Sequence, residues 1–217
     1  MTELSLEYLV RYPKKNMVNP PLMIMLHGYG SNEQDLFSFA EELPDELLII
    51  SAKAPLTLAM GSYAWYSIRF SEDSANFSDI PEAQKSLDLI DTFINEVKKE
   101  FKVDTNNVFL LGFSQGTILS IAYALNHPDN VQHVIALSGY VNQQLLKDDY
   151  KESDFSKLDM FVSHGSEDQV IPVIWAQKTP EFLNALKIKN SYQEYPGGHG
   201  VAPQNFYDLQ KWVQDRI

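Results

Sequence analysis

Gly112-Phe113-Ser114-Gln115-Gly116 reads G-x-S-x-G, the pattern of a serine presented on a sharp turn between a strand and a helix. The apolar run Val108 to Leu111 precedes it, and Ile118, Leu119, Ile121, Ala122 and Leu125 follow at helical spacing. A serine so placed has its hydroxyl exposed above the sheet edge, at a helix N-terminus that favours developing negative charge. Nucleophilic attack on a carbonyl is the chemistry this allows. The alternative is a serine that merely caps the helix.

A serine hydroxyl needs a base to remove its proton. Of the five histidines, His127 in Asn126-His127-Pro128 reads as a helix end and His133 precedes a strand. His27 and His164 each open a His-Gly pair after an apolar run, as residues that shape a loop. His199, in Gly197-Gly198-His199-Gly200, comes last in the chain, as the order Ser, acid, His requires, and is the predicted base. The acid belongs on the turn after a strand between the two. Asp168 stands there, with Glu167 as nearest rival and Asp159 more distant because it precedes its strand. The oxyanion formed on attack needs two backbone N–H donors. These are predicted from Gln115, the residue after the nucleophile, and from Tyr29 in His27-Gly28-Tyr29-Gly30, with Gly28 second. That loop makes a poor phosphate cradle, because no Lys-Ser or Lys-Thr follows its glycines and no G-x-G-x-x-G is present. A histidine base also implies that kcat/KM falls at acid pH.

The elements that must position these groups alternate along the chain. Apolar runs at Leu22–Leu26, Leu47–Ser51, Val108–Leu111, Val134–Leu137, Met160–Ser163 and Ser191–Tyr195 predict strands buried on both faces. Helices are predicted over Asn32–Glu41, Pro81–Phe101, Gln115–Asn126, Val173–Leu186 and Pro203–Arg216, with Pro180 kinking or breaking the fourth. Leu4 to Tyr12 alternates as an edge strand. The fold class is therefore α/β, a mainly parallel sheet covered on both faces, with ligands bound beyond the carboxyl ends of the strands.

The 217 residues suit a single domain over residues 1–217. There is no cysteine, which removes disulfides, thiolate metal sites and a cysteine nucleophile. A net charge of −12 repels phosphate backbones and anionic membranes, so no nucleic-acid partner and no stable membrane insertion are expected. Lys98-Lys99 reads as the solvated end of a helix. The N-terminal segment lacks the flank and apolar run of a secretory signal, which predicts a cytoplasmic protein. Nothing on the helix exteriors chooses between a monomer and a homodimer.

Taken in order, Leu26-His27-Gly28-Tyr29-Gly30, Ala64-Trp65-Tyr66, Gly112 to Gly116, Leu137-Ser138-Gly139, His164-Gly165 with Asp168 and Pro172, and Gly198-His199 resemble the phospholipase/carboxylesterase family. The resemblance runs from about residue 22 to the C-terminus. It implies an α/β-hydrolase fold without a cap domain, no cofactor, no metal, and Ser-His-Asp catalysis on small ester or thioester substrates. By motif it carries nucleophile, acid and base to Ser114, Asp168 and His199, and the oxyanion donors to Tyr29 and Gln115. Members closer to the acyl-protein thioesterases usually have Leu where Tyr29 stands and Asp where Ser31 stands. A tyrosine beside the oxyanion hole narrows or polarises the acyl pocket and points to short acyl chains.

Residues 61–80 hold aromatics without periodicity, as a long functional loop does. Trp65, Tyr66, Ile68 and Phe70 are candidates to line an apolar acyl groove with Tyr29, Val170 and Ile171; alternatively Trp65 and Tyr66 are core. Rival activities on the same fold are lysophospholipase and peptidase. A binding protein that keeps the fold without catalysis is a further alternative.

Overall fold

The computed structural model describes residues 4–68 and 78–217. Its centre is a seven-stranded sheet built from β1 (Tyr8–Arg11), β2 (Pro21–Leu26), β3 (Leu48–Ala52), β6 (Asp104–Phe113), β7 (His133–Leu137), β8 (Asp159–Gly165) and β9 (Lys189–Tyr195). The strand order is β1-β3-β2-β6-β7-β8-β9. Only β1 runs antiparallel, pairing Tyr8 with Ala52 at the edge, as the alternation of Leu4 to Tyr12 predicts. Every other neighbour is parallel.

Successive side chains of a strand point to opposite faces, so the continuous apolar runs supply two cores at once. Leu22, Ile24 and Leu26 face one core with helices α2 (Ile80–Phe101), α3 (Gln115–Asn126) and α5 (Thr179–Ala185). Met23, Met25, Phe109 and Leu111 face the other, closed by α1 (Gln34–Phe37) and by α6 (Pro203–Gln214) through Leu209, Trp212 and Val213. The clearest periodic stretch in the sequence gives the longest helix, which buries Leu87, Ile90, Ile94 and Val97 and is capped by the Asp79 carboxylate on the Glu82 N–H.

Several expectations need correction. The helix predicted over 32–41 is α1 plus a separate 3-10 turn at Ala40–Glu42, because the Asn32 side chain accepts from the Gln34 N–H and delays the start. The predicted 173–186 helix splits into α4 (Val173–Ala176) and α5, with Pro180 in the first turn of the second piece. Part of the supposed loop 61–80 is ordered strand. β4 (Leu56–Ala59) and β5 (Ser62–Ala64) form an antiparallel hairpin, turned at Gly61 with φ 74°. Lys98 is not fully solvated: its Nζ donates to the Asn130 carbonyl at 2.7 Å. Between β7 and β8 there are only two 3-10 turns, Gln143–Leu145 and Tyr150–Glu152, so no helical layer is inserted over the strand ends there.

The chain leaves the central pair β2 and β6 in opposite directions across the sheet. A crevice at such a switch point lies outside the carboxyl ends of both strands, where Leu26 and Phe113 hand over to His27 and Ser114.

Candidate active site

Ser114 is the turn between β6 and α3, at φ 54° and ψ −115°, a conformation a non-glycine residue rarely adopts. The backbone at Gly116 explains why the turn can be so tight. A Cβ there would lie 1.9 Å from the Leu26 carbonyl oxygen, so only glycine lets α3 approach β2 this closely. The Ser114 N–H donates to the Leu137 carbonyl at 2.9 Å, which fixes the turn against β7.

The hydroxyl meets a histidine across 85 residues of sequence. His199 Nε2 lies 2.9 Å from Ser114 Oγ, and His199 Nδ1 lies 2.7 Å from Asp168 Oδ2. Phe113 packs against the imidazole, with ring centroids 5.0 Å apart. With Nδ1–H donating to the carboxylate, Nε2 is free to accept the serine proton.

Asp168 is buried and accepts from three donors. The Val170 and Ile171 N–H groups reach Oδ1 at 2.8 and 2.9 Å. His199 Nδ1 donates to Oδ2 at 2.7 Å, and His164 Nε2, whose proton goes to the Ile171 carbonyl, lies 3.2 Å from the same oxygen. Burial works to raise the Asp168 pKa, but the hydrogen bonds from His199, Ile171 and Val170 outweigh it and hold the carboxyl below the ordinary aspartate value. The rivals lie elsewhere: Glu167 is exposed, and Asp159 sits at the opposite end of β8 paired with Arg216 and Lys189.

The loop carrying Asp168 and the loop carrying His199 cross with backbone against backbone. A Cβ on Gly165 would fall 2.1 Å from the Gly198 carbonyl oxygen, and the Glu167 N–H donates to the Gly197 carbonyl at 2.9 Å. The Ser166 N–H donates to the Tyr195 carbonyl at 2.8 Å.

Tyr29 follows β2. The Gly28 carbonyl accepts from His27 Nδ1 at 2.8 Å and from the Ser31 N–H at 3.2 Å. In a trans peptide the N–H points opposite to the C=O, so these two bonds turn the Tyr29 N–H the other way, and no acceptor meets it among the described residues. His27 is wholly buried; burial lowers its pKa, and the neutral ring accepts from the Ala54 N–H at Nε2. Gln115 is the first residue of α3, where backbone N–H groups have no intrahelical partner. Gly28 packs against Ser114 and Phe113, which brings the two donor-bearing segments together beside the hydroxyl.

The candidate groove residues divide. Trp65 and Tyr66 are almost fully buried and belong to the core, so the alternative weighed for them is the one the structure supports. Ile171 is buried too and joins the site through its backbone. Val170 is 66% exposed, whereas Tyr29 and Ile68 are half-buried. Phe70 lies outside the described residues.

Three contributors were not assigned these roles in the sequence. His164, expected only to shape a loop, donates from Nε2 to the Ile171 carbonyl at 2.8 Å and flanks Asp168. The Gln115 side chain and the Trp65 indole tie backbone segments together. The motifs in which they stand do not announce these roles, because each acts through side-chain bonds to backbone distant in the sequence or across a loop. Among the described residues no cluster of three His, Asp or Glu is arranged to hold a metal ion. No helix among them is long and apolar enough to cross a membrane.

Comparison with known proteins decides the lineage. The family model described as phospholipase/carboxylesterase matches residues 12–217. The chain belongs to the phospholipase/carboxylesterase family. Among curated relatives, acyl-protein thioesterase 1 of Yarrowia lipolytica is 27% identical, with 96% of each chain covered. A probable carboxylesterase of Oryza sativa subsp. japonica is 24% identical over 92% of this chain and 79% of the relative. Solved structures give the fold: esterase PE8 has TM-score 0.83 at 22% identity with all of both chains covered, and the Bacillus cereus carboxylesterase has TM-score 0.83 at 18% identity, covering 98% of this chain and 95% of that one. This member of the family has the α/β-hydrolase fold and is a hydrolase of the carboxylesterase and thioesterase type.

Proposed function

We propose that this family member is a serine esterase that hydrolyses small acyl esters or thioesters through an acyl-enzyme, with Ser114 as nucleophile, His199 as base and Asp168 as its orienting acid. The observation that carries the reading is the unbroken chain from Ser114 Oγ to His199 Nε2 at 2.9 Å and from His199 Nδ1 to Asp168 Oδ2 at 2.7 Å. Ser114 Oγ adds to the substrate carbonyl as its proton passes to His199 Nε2. The carbonyl oxygen becomes an oxyanion held by the Tyr29 and Gln115 N–H groups. Collapse breaks the bond to the alcohol or thiol, which leaves with the proton from His199. Water then adds to the acyl-enzyme by the same route, His199 taking its proton, and the acid product departs as Ser114 is reprotonated.

The seven-stranded sheet that carries all three side chains spans Tyr8 to Tyr195, which supports residues 1–217 acting as one domain. Half-buried Tyr29 beside the donors and exposed Val170 beside the acid support a short, open acyl site rather than a deep one. A cytoplasmic location is part of the proposal, and the net charge of −12 opposes association with anionic membranes.

The test is hydrolysis of p-nitrophenyl esters from acetate to palmitate by native protein and by Ser114→Ala. Turnover by the native protein alone establishes the nucleophile, and the best chain length measures the groove. Equal turnover by both proteins, or none by either, would sink the assignment.

A further inference from the structure

The oxyanion donors of this proposed site stand on two segments far apart in the chain, and one short stretch, Ser62 to Tyr66, is bonded to both. On one side it pairs with the loop after β2. The Gly30 N–H donates to the Tyr63 carbonyl at 2.8 Å, the Tyr63 N–H donates to the Ser31 carbonyl at 2.8 Å, and Ser62 Oγ donates to the Gly30 carbonyl at 2.9 Å. Two residues further on, Trp65 Nε1 donates to the His27 carbonyl at 2.9 Å. Tyr29 is thereby bracketed, with a bonded neighbour on each side.

On the other side the stretch meets the nucleophile turn. Gln115 is 2% exposed, and its side chain acts as a short length of strand. Oε1 accepts from the Trp65 N–H at 2.8 Å and Nε2 donates to the Tyr66 carbonyl at 2.8 Å. The stretch is itself anchored to α2, where Ser86 Oγ donates to the Trp65 carbonyl and Glu82 accepts from the Ser67 N–H at 2.7 Å.

We propose that Ser62–Tyr66 is a strap that sets the spacing between the Tyr29 and Gln115 N–H donors, with the Trp65 indole and the Gln115 side chain as its positioning residues. The inference rests on the esterase reading, since the strap matters only if those two N–H groups receive an oxyanion. Its physical basis is the narrowness of the requirement. Donors stabilise the oxyanion when they lie about 2.7–3.1 Å from it, and a misplacement of about 1 Å costs on the order of 10²-fold in rate. Elements bonded separately to the sheet would each drift; bonded to a common strap they hold one separation. Trp65→Phe keeps an aromatic ring in the core but also leaves a cavity, so its packing cost is read from the melting temperature and its effect on the donors from ketone affinity.

The experiment compares native protein with Trp65→Phe, which removes the bond to the His27 carbonyl, and Gln115→Met, which removes both bonds to the strap. Each is assayed for kcat and KM on a p-nitrophenyl ester below its own melting temperature. Each is also titrated with an acyl trifluoromethyl ketone, whose carbonyl takes up Ser114 Oγ to give a tetrahedral oxyanion in the same place. The strap predicts that kcat falls by roughly 10–100-fold with KM within about twofold, and that ketone affinity falls by the same factor as kcat/KM. A role in packing alone lowers the melting temperature and leaves the ketone affinity of the folded fraction unchanged, and that outcome overturns the proposal. So does a fall in kcat with no loss of ketone affinity. Should Gln115→Met not fold, Trp65→Phe decides by itself. Failure of the underlying reading is distinguishable, because the ketone would then bind Ser114→Ala as tightly as native protein.

Discussion

Replacing Asp168 by Asn changes one atom in a carboxylate that accepts from three donors. Two orientations are open to the amide. With its NH₂ toward the loop, the Val170 and Ile171 N–H groups, at 2.8 and 2.9 Å, lose their acceptor. Each stranded buried donor costs about 1–3 kcal/mol. With the NH₂ toward the histidines, both backbone bonds survive, and the amide nitrogen faces His199 Nδ1 at the former 2.7 Å contact. That second orientation is the cheaper one. The imidazole then carries its proton on Nε2 and accepts at Nδ1, so it presents N–H instead of a lone pair to Ser114 Oγ. The serine has no base. A wrong-tautomer substitution of this kind in a chymotrypsin-type triad lowers kcat about 10⁴-fold, equivalent to about 5.4 kcal/mol of transition-state stabilisation. For Asp168→Asn the expected result is therefore a loss of about 10⁴-fold in kcat on p-nitrophenyl butyrate near neutral pH, with KM little changed. The melting temperature should fall by less than about 10 °C, since at most a few kcal/mol of hydrogen bonding is at stake in a chain this size. Residual kcat above about one hundredth of native in a folded variant would refute the geometry as derived. A larger loss on Glu167→Gln than on Asp168→Asn would refute the choice of acid.

Gly116→Ala places a methyl group 1.9 Å from the Leu26 carbonyl, so the variant should lose about 3 kcal/mol or more and melt roughly 6–12 °C lower by circular dichroism. His133, packed between Phe109 and Trp212 with Nδ1 unpartnered, has its pKa lowered to about 4 by burial first and by Arg216 next. Because its folded pKa lies below the unfolded value of about 6.5, the unfolded chain binds more protons between these limits, and stability falls as pH drops from about 6.5 to 4. That contribution amounts to roughly 2–3 kcal/mol, and His133→Phe should flatten the melting-temperature profile across this window. Tyr29→Leu should move the best p-nitrophenyl ester to a longer acyl chain with kcat on the acetate ester within about threefold of native, because the N–H donor is backbone; an unchanged optimum would remove Tyr29 from the acyl pocket.

The strands and the site were legible to different depths in the sequence. Apolar runs such as Leu22–Leu26 announced central strands because burial on both faces leaves no polar position to interrupt them. The same signal cut β6 short at Val108, since its first residues, Asp104 to Asn107, are polar and more exposed yet still extended. The hairpin β4–β5 escaped notice because Leu56 to Ala59 is mostly exposed and its partner strand has only three residues. Ser114, Asp168 and His199 could be singled out because each sits beside a glycine-marked or strand-ending turn. His164, by contrast, looked like half of a loop motif. Its place next to Asp168 depends on how β8 returns through residues 166–171, and three-dimensional return paths leave no periodic mark. Trp65 announced itself as an aromatic, which is equally the signature of a groove and of a core.

The crossing of Gly165 under Gly198 has a consequence for how this enzyme can be varied. The proposed acid and base, Asp168 and His199, are registered to one another by main chain, so residues 164–171 and 195–200 form a single cassette held by backbone contacts and by its own side-chain bonds. Insertions in either loop alone would break that registration, whereas the pair transplanted together onto another sheet of this order would carry its proton-relay distance along. Insertions toward new acyl or leaving groups are left, in this architecture, to the opposite rim, the segment after β2 and the stretch that braces it, while the cassette itself varies through exposed side chains such as Val170.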